Sequence, residues 1–340
     1  MLRLSAQPVE LKLTTPFRIS RNVQPVSPNV LIEIRHDNFV GYGEAAPDEY
    51  YGENQQTVLA CLPILAASLG ADPFPIEAIM QRLNHVLRLH PSAKAALNMA
   101  LYDLVGKMLN VPLYKILGLA PQATPLTSFT IGIDTPQAMA EKARQAQGYP
   151  ILKIKVGTKN DLDNIKAIRD VRDSAVLRVD ANTGWTPKEA IQMINALAPY
   201  NIEFVEQPVV ATDLAGLKLI RENVPVPIMA DESCVTVEDI PRLAGCVDAV
   251  NLKLMKSNGL TNVLKMIHVA RAHHLKIMLG CMIESSLAIT AAAHLTPLVD
   301  YADLDGHLLI DNDPYTGVTV EEGKLILPAA PGLGVTERAR

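Results

Sequence analysis

No stretch of this 340-residue chain stays apolar for long enough to cross a bilayer, and Met1-Leu2-Arg3-Leu4-Ser5-Ala6-Gln7-Pro8 lacks the continuous apolar core of a signal peptide. Cysteine is scarce: Cys61, Cys234, Cys246 and Cys281 are scattered without CxxC spacing, so neither a disulfide framework nor a zinc site is indicated. Basic charge is not in excess either. Lys and Arg number 31 against 36 Asp and Glu, a net charge of -5, and no basic block or RNA-type aromatic motif appears. Neither a nucleic acid nor a membrane surface is therefore expected as a partner. Low-complexity segments are also missing. What is present, 49% hydrophobic and 20% charged residues, reads as a soluble cytoplasmic enzyme. The length suits one large barrel or two ordinary domains.

The first third differs in pattern from the rest. Residues 9–13, 30–34 and 39–43 alternate like strands of an antiparallel meander, with His36-Asp37-Asn38 as a turn. Helical spacing follows over roughly 54–69, 75–89 and 92–109. From about residue 125 short apolar strands end in a polar residue and a helical segment follows. Strand ends fall near Ile131 and then at Lys155, Asp180, Glu206, Asp231, Lys253, Cys281 and Asp305. From Asp180 onward these ends lie 22 to 28 residues apart, about one strand-helix unit each. Eight such units predict an α/β fold built on a parallel (β/α)8-type barrel, whose catalytic groups sit at the C-terminal ends of the strands. Beyond about 311 the chain is rich in Pro and Gly, and this tail is expected to pack back on the first segment.

In Ile151-Leu152-Lys153-Ile154-Lys155-Val156 the alternation of a strand points both lysines to one face and the apolar residues to the other. Alone, such a pair reads as the solvated face of an edge strand. Crowded together in a buried strand, two ammonium groups lower the pKa of one member, as a lysine acting as a base requires. Asp180, Glu206 and Asp231 close three consecutive strands. Singly each could be a loop carboxylate or helix cap, but on one barrel mouth they converge and repel unless a divalent cation joins them. All-oxygen ligands select Mg2+ or Mn2+ over Zn2+. Counting the Lys153/Lys155 strand as second and the Lys253 strand as sixth, Lys155 and Lys253 face each other across a ring of eight. A carbon acid held between two such amines can lose a proton on one face and regain one on the other, which inverts its stereocentre. The metal and Lys153 would stabilise the enediolate formed in between. Lys256 and Lys265 read as solvated positions.

These stretches resemble the enolase superfamily, muconate-lactonizing subgroup. The matching motifs are Leu152-Lys153-Ile154-Lys155, Val179-Asp180-Ala181-Asn182, Val205-Glu206-Gln207-Pro208, Ala230-Asp231-Glu232-Ser233, the run from Asn251 to Lys256, the run from Leu279 to Ser285 and the helix from Ala95 to Leu104. The resemblance implies a cap domain over a (β/α)7β barrel: an α+β cap over 1–122, a barrel over 123–310 and a tail over 311–340 that completes the cap. It also assigns Asp180, Glu206 and Asp231 to Mg2+, the one cofactor expected, and Lys155 and Lys253 to acid/base catalysis, in keeping with the lysine bases and Mg2+ of that superfamily.

Tyr301-Ala302-Asp303-Leu304-Asp305-Gly306 discriminates among the reactions of this subgroup. Asp303 and Asp305 share a face on the eighth strand, opposite the Glu206 strand, and suit a cation. A dipeptide with its carboxylate on the metal and its ammonium on this pair fits, and the Asp-x-Asp resembles the signature of dipeptide epimerases. The alternative is N-acylamino acid racemisation or o-succinylbenzoate synthesis, whose substrates have no ammonium. The loop from Thr15 to Arg21 resembles the first specificity loop of Ala-Glu epimerases, in which the arginine matching Arg21 reads a carboxylate; Arg21 could also pair with a neighbour or stack. The loop from Pro47 to Glu53 is acidic, and Asp48 or Glu49 could favour a cationic side chain or offset Arg18 and Arg21. The expected partner is a dipeptide, and the expected assembly a homo-oligomer.

Overall fold

The computed structural model describes residues 2–339. Strands β1 (Arg3–Arg18), β2 (Val23–His36) and β3 (Phe39–Ala45) form an antiparallel sheet in that order. The turn expected at His36-Asp37-Asn38 joins β2 to β3, with Asp37 at φ 51. β1 and β2 run well past the alternating residues that signal them, because their ladder runs from Arg3 opposite Arg35 to Lys12 opposite Val26 and resumes, after a shift of register, with Phe17 opposite Gln24 and Arg18 opposite Val23. Helices α1 (Gln55–Ala66), α2 (Ile76–Val86) and α3 (Pro91–Leu109) cover this sheet. Contact between α3 and β3 is too close for side chains: a Cβ on Gly43 would lie 2.0 Å from the Ala96 carbonyl oxygen. A short helix α4 (Leu113–Ile116) leads into the barrel.

Eight parallel strands follow: β4 (Phe129–Ile131), β5 (Ile151–Lys155), β6 (Val176–Asp180), β7 (Ile202–Glu206), β8 (Ile228–Ala230), β9 (Ala249–Lys253), β10 (Lys276–Gly280) and β11 (Tyr301–Asp303). They are hydrogen-bonded in sequential order, and a Thr127–Ala302 bridge brings the last strand beside the first. Seven helices separate them: α5 (Pro136–Gln145), α6 (Asp161–Val171), α7 (Pro187–Leu197), α8 (Leu214–Asn223), α9 (Asp239–Leu243), α10 (Leu260–Ala272) and α11 (Ser286–Ala293). After β11 the chain enters a 3-10 turn, Gly306–Leu309, instead of an eighth helix. The architecture is thus a (β/α)7β barrel with an N-terminal antiparallel sheet domain.

Alternation sorts the barrel residues into two layers. Leu152, Ile154 and Val156 join the core between strands and helices, which leaves Lys153 and Lys155 to the lumen. On β7 the pattern holds only because of a bulge: Leu177 pairs with Ile202, but Arg178 pairs with Phe204, so Glu203 is an extra residue. Ile202 therefore packs outward while Phe204 and Glu206 face in. Phe204, Met229, Ala249 and Met278 close the lumen below the mouth, with Tyr301 packed against them. Arg178 sits among them, its guanidinium 5.4 Å from the Phe204 ring centre and bonded to Glu203 and the Ala302 carbonyl.

Two buried carboxylates tie the parts together. Glu44 of β3 accepts from Asn29 Nδ2 at 2.8 Å and from the backbone N–H and hydroxyl of Ser285, the cap of α11. It thus lies at a helix N-terminus that favours negative charge. Asp103 of α3 accepts from Tyr42 N and from Leu333 N at 2.8 Å, anchoring the tail to α3 and β3. The contact of α3 with β3 is testable directly. Gly43→Ala is expected to lower unfolding stability by roughly 2 kcal/mol, the cost of overpacking a dense core. An unchanged denaturant midpoint would contradict the close approach.

Candidate functional site

The polar strand ends assemble at one end of the barrel. Asp180, Glu206 and Lys253 are the last residues of β6, β7 and β9. Asp231 lies one residue beyond β8 and Asp305 two beyond β11, each displaced from the strand end read in the sequence. A cavity of about 830 Å3, open to solvent, is lined by Lys153, Lys155, Asp231, Lys253, Asp303 and Asp305. Phe17, Arg21, Asp48 and Tyr51 of the N-terminal domain line it from above, whereas Glu49 is exposed outside it.

Asp180, Glu206 and Asp231 are wholly buried, which would be prohibitive for unpaired charges. The lysines compensate them. Lys153 Nζ lies 3.2 Å from Asp180, 2.8 Å from Glu206 and 2.6 Å from Asp303. Lys155 Nζ reaches Asp180 at 2.7 Å, and Lys253 Nζ reaches Asp231 at 2.8 Å. Burial opposes ionisation of Asp180, but Lys155 and Lys153 outweigh it and pull its carboxyl to about 2. Burial and the Asp180 charge together push Glu206 up to about 7. Asp231 is held well below the usual range, because Lys253 and Lys256 overcome the effect of burial.

Carboxylates dominate the electrostatics of two lumenal lysines, Lys153 and Lys253. Burial lowers Lys153, but Asp303, Glu206 and Asp180 hold it well above its ordinary value. Lys253 is likewise raised, Asp231 outweighing burial.

Behind the carboxylates stands a set of donors. Asn182 N donates to Asp180 Oδ1 at 2.9 Å, and Asn251 Nδ2 donates to Glu206 Oε1 at 2.7 Å. Lys256, expected at a solvated position, is instead fully buried, and its Nζ donates to the Asp231 carboxylate, the Asp231 carbonyl and the Asn251 carbonyl. Lys265 is exposed as expected and pairs with Glu77. Asn251 could have been found from the sequence, since it shares the inward face of β9 with Lys253. Lys256 could not, because it follows the strand and alternation no longer applies.

Asp303 accepts from Ser128 Oγ at 2.6 Å as well as from Lys153. Asp305 accepts from Thr130 N at 2.6 Å, and burial with the neighbouring Asp303 charge raises it to about 7. Of the roles open to Arg21, the structure realises pairing and stacking. Its guanidinium bonds Glu232 Oε1 and the Asn182 carbonyl and lies 4.3 Å from the centre of the Tyr50 ring. Its acidic partner is Glu232, not Asp48 or Glu49.

The donor set can be tested for a cation. Among the described residues no trio of acidic, His or Cys side chains is arranged to cage a metal as it stands, since Lys153 contacts two of the three carboxylates. Yet Glu206 Oε2 and Asp231 Oδ2 are buried without a directed hydrogen bond. Buried, all-oxygen and incompletely satisfied, the set fits a hard divalent ion.

Residues 3–118 match the mandelate racemase / muconate lactonizing enzyme N-terminal domain, and residues 137–339 match the enolase C-terminal domain-like family. A relative named L-Ala-D/L-Glu epimerase, from Bacteroides thetaiotaomicron, is 40% identical over 98% of this chain and 88% of its own length. The crystal structure of a dipeptide epimerase from Cytophaga hutchinsonii, complexed with Mg and D-Ala-L-Val, superposes with a TM-score of 0.94 at 35% identity, covering 98% of this chain and 95% of the other. The crystal structure of a dipeptide epimerase from Enterococcus faecalis, complexed with Mg and L-Leu-L-Tyr, gives 0.94 at 38% identity, covering 98% and 99%.

A buried acid beside the cavity sets a pH dependence. Glu284, 1% exposed, accepts from Met282 N at 2.8 Å, and burial raises it from 4.5 to about 8. The folded state therefore keeps a proton that the unfolded chain releases above about 4.5, and this group's contribution to stability declines as pH rises toward about 8. Glu284→Gln is expected to gain melting temperature relative to the native protein as pH goes from 5 to 9. A difference constant with pH would contradict the assignment.

Proposed function

The chain belongs to the mandelate racemase/muconate lactonizing enzyme family of the enolase superfamily, and we propose on that premise that it is a Mg2+-dependent dipeptide epimerase inverting the α-carbon of the C-terminal residue. The carrying observation is ring position. Lys155 on β5 and Lys253 on β9 stand four strands apart in a ring of eight, with Asp180, Glu206 and Asp231 between them on one side. Relatives named as dipeptide epimerases, with Mg and dipeptides in their structures, support the same reading.

Asp180, Glu206 and Asp231 would hold the ion. Bound there, Mg2+ would neutralise these carboxylates, fix the substrate carboxylate and stabilise negative charge as the α-proton leaves. One of Lys155 and Lys253 takes the α-proton and the other returns one from the opposite face. Lys153 sets a fixed positive charge beside the developing enediolate. Asp303 and Asp305, held by Ser128 and Thr130, receive the free ammonium of the dipeptide. Arg21, at the cavity roof, is proposed to contact the side chain of the substrate. The division into a cap over 1–122, a barrel over 123–310 and a tail over 311–340 belongs to the same proposal, as do a cytoplasmic location and a homo-oligomer. No helix among the described residues is long and apolar enough to cross a membrane.

A library of L,L-dipeptides incubated in deuterated water with Mg2+ is expected to yield deuterated, epimerised product for at least one member. Absence of deuterium from every dipeptide would sink the reading. Lys155→Ala is expected to block exchange from one epimer and Lys253→Ala from the other, each by about 100-fold or more; equal residual exchange from both epimers would argue against two opposed bases. Asp303→Asn is expected to lower kcat/KM for free dipeptides roughly tenfold or more, the scale of a lost charge-assisted bond, and to spare N-acetylated analogues. Equal losses for the two would favour N-acylamino acid racemisation.

A further inference from the structure

The two oxygens of each buried carboxylate at the barrel mouth have different surroundings. One oxygen is held from behind: Asp180 Oδ1 by Asn182 N, Glu206 Oε1 by Asn251 Nδ2 and Asp231 Oδ1 by Lys256 Nζ. The other faces the ammonium groups of the lumen: Asp180 Oδ2 meets Lys155 and Lys153, Glu206 Oε2 meets Lys153, and Asp231 Oδ2 meets Lys253. For Glu206 and Asp231 the lumenal oxygen lacks a directed hydrogen bond.

Lys256 is the strongest of the three holders. It is 1% exposed, and its three N–H donors match three acceptors: Asp231 Oδ1, the Asp231 carbonyl at 2.6 Å and the Asn251 carbonyl at 2.9 Å. The last contact links it to a second carboxylate, because the Asn251 amide bonds Glu206. Room for that amide depends on Gly280, where a Cβ would lie 2.6 Å from Asn251 Oδ1. One buried lysine and one buried amide thus brace both Glu206 and Asp231.

We propose that Lys256, with Asn251, sets the cation selectivity of this site by leaving each of these carboxylates a single oxygen to offer. The inference rests on the Mg2+ site proposed above. Ca2+ takes roughly six to eight oxygens and favours bidentate carboxylates, whereas Mg2+ takes about six at shorter distance and accepts single oxygens with water. Blocking the rear oxygens denies Ca2+ its extra ligands and costs Mg2+ nothing. Lys256 acts here as a positioning residue through Asp231, without touching substrate.

Calorimetric titration of the full-length protein with MgCl2 and with CaCl2, without substrate, tests this. Native protein is expected to bind Mg2+ more tightly than Ca2+. In Lys256→Met, which keeps the stem and removes the donor, the ratio of the Ca2+ to the Mg2+ dissociation constant is expected to fall by about tenfold or more, the scale of outer-shell effects on metal sites. Asn251→Ala, which frees Glu206 Oε1 independently, is expected to shift the ratio in the same direction and serves should Lys256→Met not fold. Parallel changes for the two cations in either folded variant would mark a merely structural brace and overturn the proposal. If the native protein binds neither cation, the metal site itself is overturned and this proposal with it. If native selectivity for Mg2+ is present but unmoved by the variants, only this proposal falls.

Discussion

Burying three carboxylates at one barrel mouth is the constraint on which the rest of the structure depends. Asp180, Glu206 and Asp231 are fully buried on or just after neighbouring strands, and their mutual repulsion is not screened by water there. Lys153, Lys155, Lys253 and Lys256 answer that charge, and every one of them contacts at least one of these carboxylates. The balance is uneven by design of position. Asp180 and Asp231, each meeting two lysines, stay well below the usual carboxylate range, while Glu206, crowded by Asp180, rises to about 7.

The scaffold serves this charge cluster by keeping water out from below and side chains in register. Phe204, Met229, Ala249 and Met278 fill the lumen beneath it. The bulge at Glu203 lets Ile202 pack outward while Phe204 and Glu206 face in, since without the extra residue all three would share one face and the outer core would lose Ile202. From above, the N-terminal domain is held on the barrel by Glu44 at the start of α11 and by the tail on Asp103. Those anchors carry Phe17, Arg21, Asp48 and Tyr51 to the cavity roof, so the shape of the roof depends on contacts far along the chain from the loops that form it.

Some features could be read from residue order alone, and others could not. The repeat of strand and helix, the ring positions of Lys155 and Lys253 and the shared face of Lys153 and Lys155 follow from periods of 2 and 3.6 residues. The missing eighth helix needed the resemblance to a known family, because the segment after Asp305, apolar at Leu308, Leu309 and Ile310 and then turn-like at Asp311-Asn312-Asp313-Pro314, is consistent with either outcome. Two residues past a strand end escaped: Lys256 folds back beneath Asp231, and Glu232 turns up to meet Arg21. The upward shift at Lys153 likewise depends on neighbours from three other strands, Asp303, Glu206 and Asp180.

The order of residues therefore determined which strands form, which face each side chain takes and which groups reach the barrel mouth. Strand alternation and the fixed order of strands around a closed ring leave little freedom in these matters. Tertiary structure alone decided how the gathered charges pair: which oxygen of each carboxylate is held, that Lys256 is buried, and that Arg21 meets Glu232 instead of Asp48. Electrostatic energy depends on distances of a few ångströms between groups that are distant in sequence, and no periodicity encodes those distances.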